Sequence, residues 1–270
     1  MSIYRLDLKR NLGELISWTV VFAAIIAIMM FLHSMFGSVF KPESFAARTE
    51  ALPNVVRGIL GLTTSPDLSQ PFQFAAYIYQ FILLFSGIYA CLIGAKAFTG
   101  EEGKGTIEFL YSLPVSRGNI LRQKIASGIV RYFIYSLVLF IVTCVMTWFL
   151  NRDMNISGVV IALIRVFICT LFTGYVYMSV GFLISALFRS NAESISVALA
   201  LVLITYIIGM LGKIMAHMRF LAYLSPIHAE LPLVVLNHGF GPVGLILGLV
   251  VIIVTTLLTT LRYKKKDFLV

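Results

Sequence analysis

Six stretches of the chain stay apolar over the ~20 residues that a helix needs to cross the hydrocarbon of a bilayer. They are Ile16–Phe36, Phe72–Ala95, Tyr132–Leu150, Val166–Phe188, Ser194–Leu211 and Pro242–Leu261, and none holds an Asp, Glu, Lys or Arg. The polar positions collect between them. The pattern predicts an all-α, polytopic membrane protein, with six transmembrane helices in one domain over residues 1–270.

Two further stretches carry a different pattern. Tyr4, Leu8, Leu12 and Leu15 recur at helical spacing, while Arg5, Asp7 and Lys9 lie elsewhere around the wheel. This predicts an amphipathic helix over residues 1–15, lying in the membrane interface. It does not read as a cleavable signal, because a span-length apolar run follows with no small-residue cleavage site. Between the fifth and sixth runs, residues 212–241 are apolar but interrupted. From Ile214 to Leu236, 16 of 23 residues are apolar, and Pro226 and Pro232 break the run. Two short helices re-entering the outer leaflet are expected there, covered by protein.

Charge sets an orientation. The chain has 21 Lys+Arg against 12 Asp+Glu. With both termini in the cytoplasm, 14 of the basic residues fall inside and 7 outside, the bias expected of cytoplasmic loops. The basic tail Arg262–Lys266 anchors this topology in the cytoplasmic (plasma) membrane. At 59% hydrophobic and 12% charged residues, the composition excludes a soluble domain. The net charge of +9 therefore belongs to anionic headgroups, not to nucleic acid. Cys91, Cys144 and Cys169 sit in apolar runs and read as small buried hydrophobes.

Spans without Asp, Glu, Lys or Arg argue against the proton relays and ion sites of self-powered transporters. No HExxH or GxSxG motif is present. The sequence Gly100-Glu-Glu-Gly-Lys-Gly-Thr106 lacks the Lys-Ser/Thr pair of a phosphate-binding loop. His33, His217, His228 and His238 fall toward the outer side, at spacings that match no metal motif. No catalytic residue, metal or cofactor is expected in this chain, and the energy for any transport must come from outside it.

The loop over residues 96–131 carries the functional reading. An acidic, glycine-rich turn precedes Thr106-Ile-Glu-Phe-Leu-Tyr-Ser-Leu113, with Thr106 as N-cap and Pro114 as terminator. A second helix starts near Arg117–Asn119 and runs into the third span. The Thr106–Leu113 helix offers Phe109 and Leu110 on the cytoplasmic side. Such a helix can dock into another protein's groove or lie against headgroups.

This loop resembles the coupling-helix region of type-2 ABC transporter permeases. The matching residues are Glu101, Glu102, Gly103, Gly105, Thr106, Glu108, Leu110, Pro114, Ser116, Arg117 and Lys124. Ser185–Ser190, with Arg189 and Ser190, is similar to the family's second cytoplasmic turn. The N-terminal helix resembles its elbow helix, and residues 212–241 resemble its outer re-entrant hairpin. The resemblance implies that two permease subunits, as a homodimer or heterodimer, pair above two copies of a cytoplasmic ABC ATPase that holds ATP and Mg. The Thr106–Leu113 helix, with Phe109 and Leu110, would sit in an ATPase groove.

Cargo is less legible. Phe74, Tyr77, Phe81 and Phe85 form a stripe in the second span, and Phe172 and Tyr175 begin another in the fourth. They either line a path for amphipathic molecules or pack helices and meet lipid. Gly244-Leu-Ile-Leu-Gly248 is a small-residue contact motif in the sixth span. A path without fixed charge suits hydrophobic or amphipathic cargo: peptides, peptide antibiotics or toxins, and lipid-like molecules. The alternatives are a non-transporting membrane protein, such as an immunity factor or scaffold, and an intramembrane enzyme.

Overall fold

A computed structural model describes residues 3–37, 49–60, 67–102, 117–150 and 156–265. Among these residues the regular elements are all helical. Six helices are long and apolar enough to cross a membrane, and the protein is a multi-pass membrane protein. They run Leu12–Met35 (span 1), Pro71–Glu102 (span 2), Arg117–Leu150 (span 3), Ile156–Leu187 (span 4), Asn191–Ile214 (span 5) and Pro242–Lys265 (span 6).

The helices outrun the apolar stretches. Span 3, with 34 residues, is about 50 Å long, well beyond a ~30 Å hydrocarbon core. No Pro or Gly-Pro break separates its polar first half from the apolar run, so the helix continues through both. Lys96, Arg122, Lys124, Arg131, Arg165 and Lys213 lie on such extensions. The N-terminal helix, Ile3–Arg10, is separated from span 1 by Asn11, whose backbone leaves the helical region. Span 1 thus begins at Leu12, four residues before its apolar run.

Span 2 is the axle of the bundle. About two thirds of its apolar window is buried (67%), against 22–39% in the other spans. It packs chiefly on span 4, and also on spans 5, 3 and 1. Two glycines set the closest approach. A Cβ on Gly94 would lie 2.4 Å from the carbonyl oxygen of Met178, and one on Gly181 would lie 2.3 Å from that of Cys91. The two backbones therefore touch, the close approach that small residues allow in membranes.

Buried hydroxyls tie the same helices together. Tyr135 and Ser86 meet at 2.9 Å, Tyr79 and Thr143 at 3.0 Å, and Tyr177 and Thr205 at 3.0 Å. The Tyr132 hydroxyl donates to the Thr170 carbonyl at 2.9 Å. Gly174 makes room for the Tyr132 ring, since a Cβ there would lie 2.0 Å from Cζ. Each such bond contributes on the order of 0.6 kcal/mol inside a membrane. These residues fill the heart of the bundle that apolar patterning alone leaves undefined.

Between spans 5 and 6 the chain forms three short pieces, not two: a 3₁₀ stretch Ala216–Leu224 and helices Pro226–Ala229 and Pro232–His238. Each proline opens a new piece, because the residue before it, Ser225 or Leu231, is held extended. Ile227, Leu233, Val235 and Leu236 are buried against the spans. Gly239 closes the last helix at φ 79°. The Gly244/Gly248 motif meets Glu230 of this segment and Phe172 of span 4, so it is a contact within the chain.

Gly181→Ala should lower stability by about 1–3 kcal/mol by prying spans 2 and 4 apart. Gly13→Ala, at an open position, should not destabilise. Thermal unfolding of the purified protein in detergent checks both.

Candidate functional site

The N-terminal helix, the end of span 2, the start of span 3, the turn at 188–190 and the end of span 6 gather at one end of the bundle, here the terminal end. Glu101 and Glu102 close span 2, and Arg117 opens span 3. Gly103, Gly105, Thr106, Glu108, Phe109, Leu110 and Pro114 lie outside the described residues. What the structure shows is how the two roots of that connection are held.

The first restraint is a buried carboxylate. Asp7 is only 5% exposed, although its sequence neighbours gave it to the polar side of the N-terminal helix. The helix in fact turns Tyr4, Asp7, Leu8, Asn11 and Leu15 inward, and leaves Leu6 and Leu12 exposed. Asp7 Oδ2 accepts from Ser127 Oγ at 2.7 Å and faces Arg131 Nη2 at 3.4 Å, both on span 3. Its Oδ1 meets Arg10 at 3.3 Å and Asn11 Nδ2 at 3.2 Å. Arg131 is itself 5% exposed. Burying either charge alone would be costly, so each requires the other. Nearby, the Tyr4 N–H donates to Gln123 Oε1 at 3.1 Å, and Lys96 of span 2 pairs with Glu14 of span 1 at 2.9 Å.

The second restraint surrounds the end of span 2. Lys124 of span 3, buried, donates to the Ala97 carbonyl. Ser185 of span 4 accepts from the N–H groups of Phe98 at 2.9 Å and Thr99 at 3.2 Å. Ser194 of span 5 donates to the Ala95 carbonyl at 2.7 Å. Thr99 Oγ1 donates to the same carbonyl at 2.9 Å and to Asn191 Oδ1 at 3.3 Å. Phe98 packs at a tilt on Tyr263 of span 6, with ring centroids 4.8 Å apart. Arg189 is exposed and Ser190 half-buried in the adjoining turn.

A sequence model of ABC-2 family transporter proteins matches residues 1–268. The chain belongs to that family. No curated protein matches it. As an ABC-2 family member it is the membrane permease subunit of an ABC transporter, and the family implies association with an ATPase subunit.

The aromatic stripes do not converge. Phe74, Tyr77, Phe81 and Phe85 line a wholly apolar groove of about 270 Å³ between spans 1 and 2. Phe172 lines a separate cleft of about 420 Å³ between span 4, span 6 and the 216–238 segment. Tyr175 instead meets Tyr132 edge-on at 5.7 Å. At the far end His33 bonds the Leu68 carbonyl at 2.7 Å. His228 packs on Tyr206 and Ser225, and burial beside Lys213 pushes its imidazole down to about 3, keeping it neutral. Glu230 is buried against the first turn of span 6, where Oε2 accepts the Gly241 N–H at 3.1 Å. Burial raises its carboxyl, while that bond and Lys213 oppose the rise. Among the described residues no three His, Cys, Asp or Glu side chains gather as a metal site.

Sequence reasoning missed Asp7, Ser127, Arg131, Ser185 and Ser194 as structural determinants. The available signal was a run of polar residues continuing a helix past the apolar limit.

Asp7→Leu and Arg131→Met should each cost about 3–5 kcal/mol by stranding the other charge, while the double variant should be far less damaging. A double-mutant cycle in thermal unfolding measures the difference.

Proposed function

We propose that this ABC-2 permease subunit exports hydrophobic or amphipathic cargo across the cytoplasmic membrane, driven by ATPase subunits beneath its terminal end. The observation that carries the reading is the restraint of both roots of the 103–116 connection by buried polar contacts from spans 3, 4 and 5 and the N-terminal helix. A motor pushing on a loosely held loop would move the loop alone. Here the displacement passes to the spans.

In this reading both termini face the cytoplasm, and the N-terminal helix lies in the inner interface as an elbow. The 216–238 segment sits in the outer leaflet. Glu101, Glu102, Gly103, Gly105, Thr106, Glu108, Phe109, Leu110, Pro114 and Arg117 form the coupling element, with Arg189 and Ser190 as a second contact. ATP and Mg bind in the partner ATPase, present in two copies under a pair of permeases. The apolar groove of Phe74, Tyr77, Phe81 and Phe85 faces cargo, and its lack of polar lining supports hydrophobic or amphipathic molecules over ions.

Phe109→Glu and Leu110→Glu should weaken ATPase binding roughly thirtyfold or more, the scale of losing an interface hot spot. Co-purification and ATP hydrolysis with an ATPase encoded beside this chain provide the test. Unchanged assembly and unchanged hydrolysis would sink the coupling role.

A further inference from the structure

We infer that the cleft between span 4, span 6 and the 216–229 stretch holds an acyl chain of a membrane phospholipid, as a resident ligand of the bundle. The inference goes beyond the export reading and does not rest on it.

The cleft has the form of a slot. Its volume is about 420 Å³, within the ~300–1,000 Å³ of ordinary ligand sites. On span 6 its wall is Gly244, Leu247, Gly248 and Val251. These recur at i, i+3, i+4 and i+7, so they form one helix face over two turns. Phe172 and Val176 of span 4, one turn apart, form another wall. The slot therefore follows the helix axes for about 10 Å, at ~1.5 Å per residue. Its long dimension runs across the bilayer, the direction in which lipid chains lie.

Size and chemistry select the occupant. A helix ~10 Å across would fill about 800 Å³ over that length, so neither a span of a second copy nor a helical peptide enters. Water is a poor filler, because it needs about two to four polar partners. Among the lining residues only Tyr223 carries a polar side-chain group. Left empty, the slot would deprive its walls of contacts on one side. Lipid has direct access. Phe220 and Leu224 of the roof and Leu247 of span 6 are exposed, and this surface continues into exposed Val250 and Val254.

The slot selects a chain and not an anionic headgroup. The first turn of span 6 would otherwise attract an anion, but Glu230 already occupies it, with Oε2 accepting the Gly241 N–H at 3.1 Å. Tyr223, half-exposed in the roof, suits the level of the headgroups. The resident chain also braces the roof. The Ala216–Leu224 stretch packs chiefly on span 5 and only lightly on span 6, and the chain fills the gap that this leaves.

The test uses the full-length permease in nanodiscs of phosphatidylcholine. A small share of that lipid carries a diazirine midway along one acyl chain. After photolysis, adducts are mapped by tandem mass spectrometry. Leu247 is 42% exposed, against 60% for Ile246 and 49% for Val250, which lie at similar depth outside the slot. Labelling by bulk lipid follows exposure. A resident chain reverses that order, so Leu247, with Phe220 and Leu224, should be labelled above Ile246 and Val250. Val251→Trp and Ala229→Phe fill the slot from different walls. Each should remove the excess while leaving Ile246 and Val250 labelled as in wild type. Wild-type labelling that follows exposure overturns the inference without any variant. An excess that survives in either folded variant also overturns it. Slot residues left unlabelled beside a labelled Ile246 would mean that polypeptide covers the slot, which overturns it as well. Neither transport nor ATP hydrolysis enters the readout, so failure of the export reading leaves the result unaffected.

Discussion

Asp7 and Arg131 face each other across the junction of the N-terminal helix and span 3, each nearly sealed from solvent. Two charges in such a place are tolerated only as a pair, and only with further hydrogen bonds on the carboxylate. Ser127, Arg10 and Asn11 supply them. The consequence is geometric. The N-terminal helix cannot lift away from span 3 without exposing or stranding a charge. Lys124, three residues before Ser127, extends the same restraint to the end of span 2. The roots of one connection are thereby locked to each other and to the first helix of the chain.

From that end, the restraint runs upward through span 2. Its small residues let span 4 lie against it, and its Tyr and Ser hydroxyls are matched by span 3. In lipid there is no hydrophobic force between apolar helices, so close packing and hydrogen bonds must hold the bundle. The charged residues stand at the helix ends, and the six apolar runs between them carry none. Among the described residues, polar side chains that hold and position the helices fit the division of labour in an ABC transporter, where a separate ATPase subunit supplies the energy.

Much of this was legible in the sequence, for identifiable reasons. Apolar runs of span length have few alternatives in a bilayer, so six helices followed directly. The broken segment before span 6 was visible through Pro226 and Pro232. Helix ends were not legible, because hydropathy marks where lipid stops and not where hydrogen bonding stops. The start of span 3 is the exception: the sequence predicts a helix from near Arg117 into the third span, and Arg122, Lys124 and Arg131 lie on it. Asp7 was assigned outward since a lone carboxylate on an amphipathic helix is usually solvated, and its partner stands more than a hundred residues away. Ser185 stands out only as part of a family-like turn and Ser194 only as the start of the fifth apolar run, since a serine in an apolar helix gives no hint of which backbone it will meet. The aromatic stripe of span 2 was recognisable as a surface. Its counterpart in span 4 faces elsewhere, a matter of tertiary rotation that spacing cannot fix.

The most direct test of the locked terminal end is a distance between the N-terminal helix and span 3. Spin labels at exposed Leu6 and Ile129 report it without touching the buried pair. In the assembled complex, the distance is expected to stay the same with and without Mg-ATP, because helix and span move as one body. A distance that changes on ATP binding would contradict the lock and the transmission built on it.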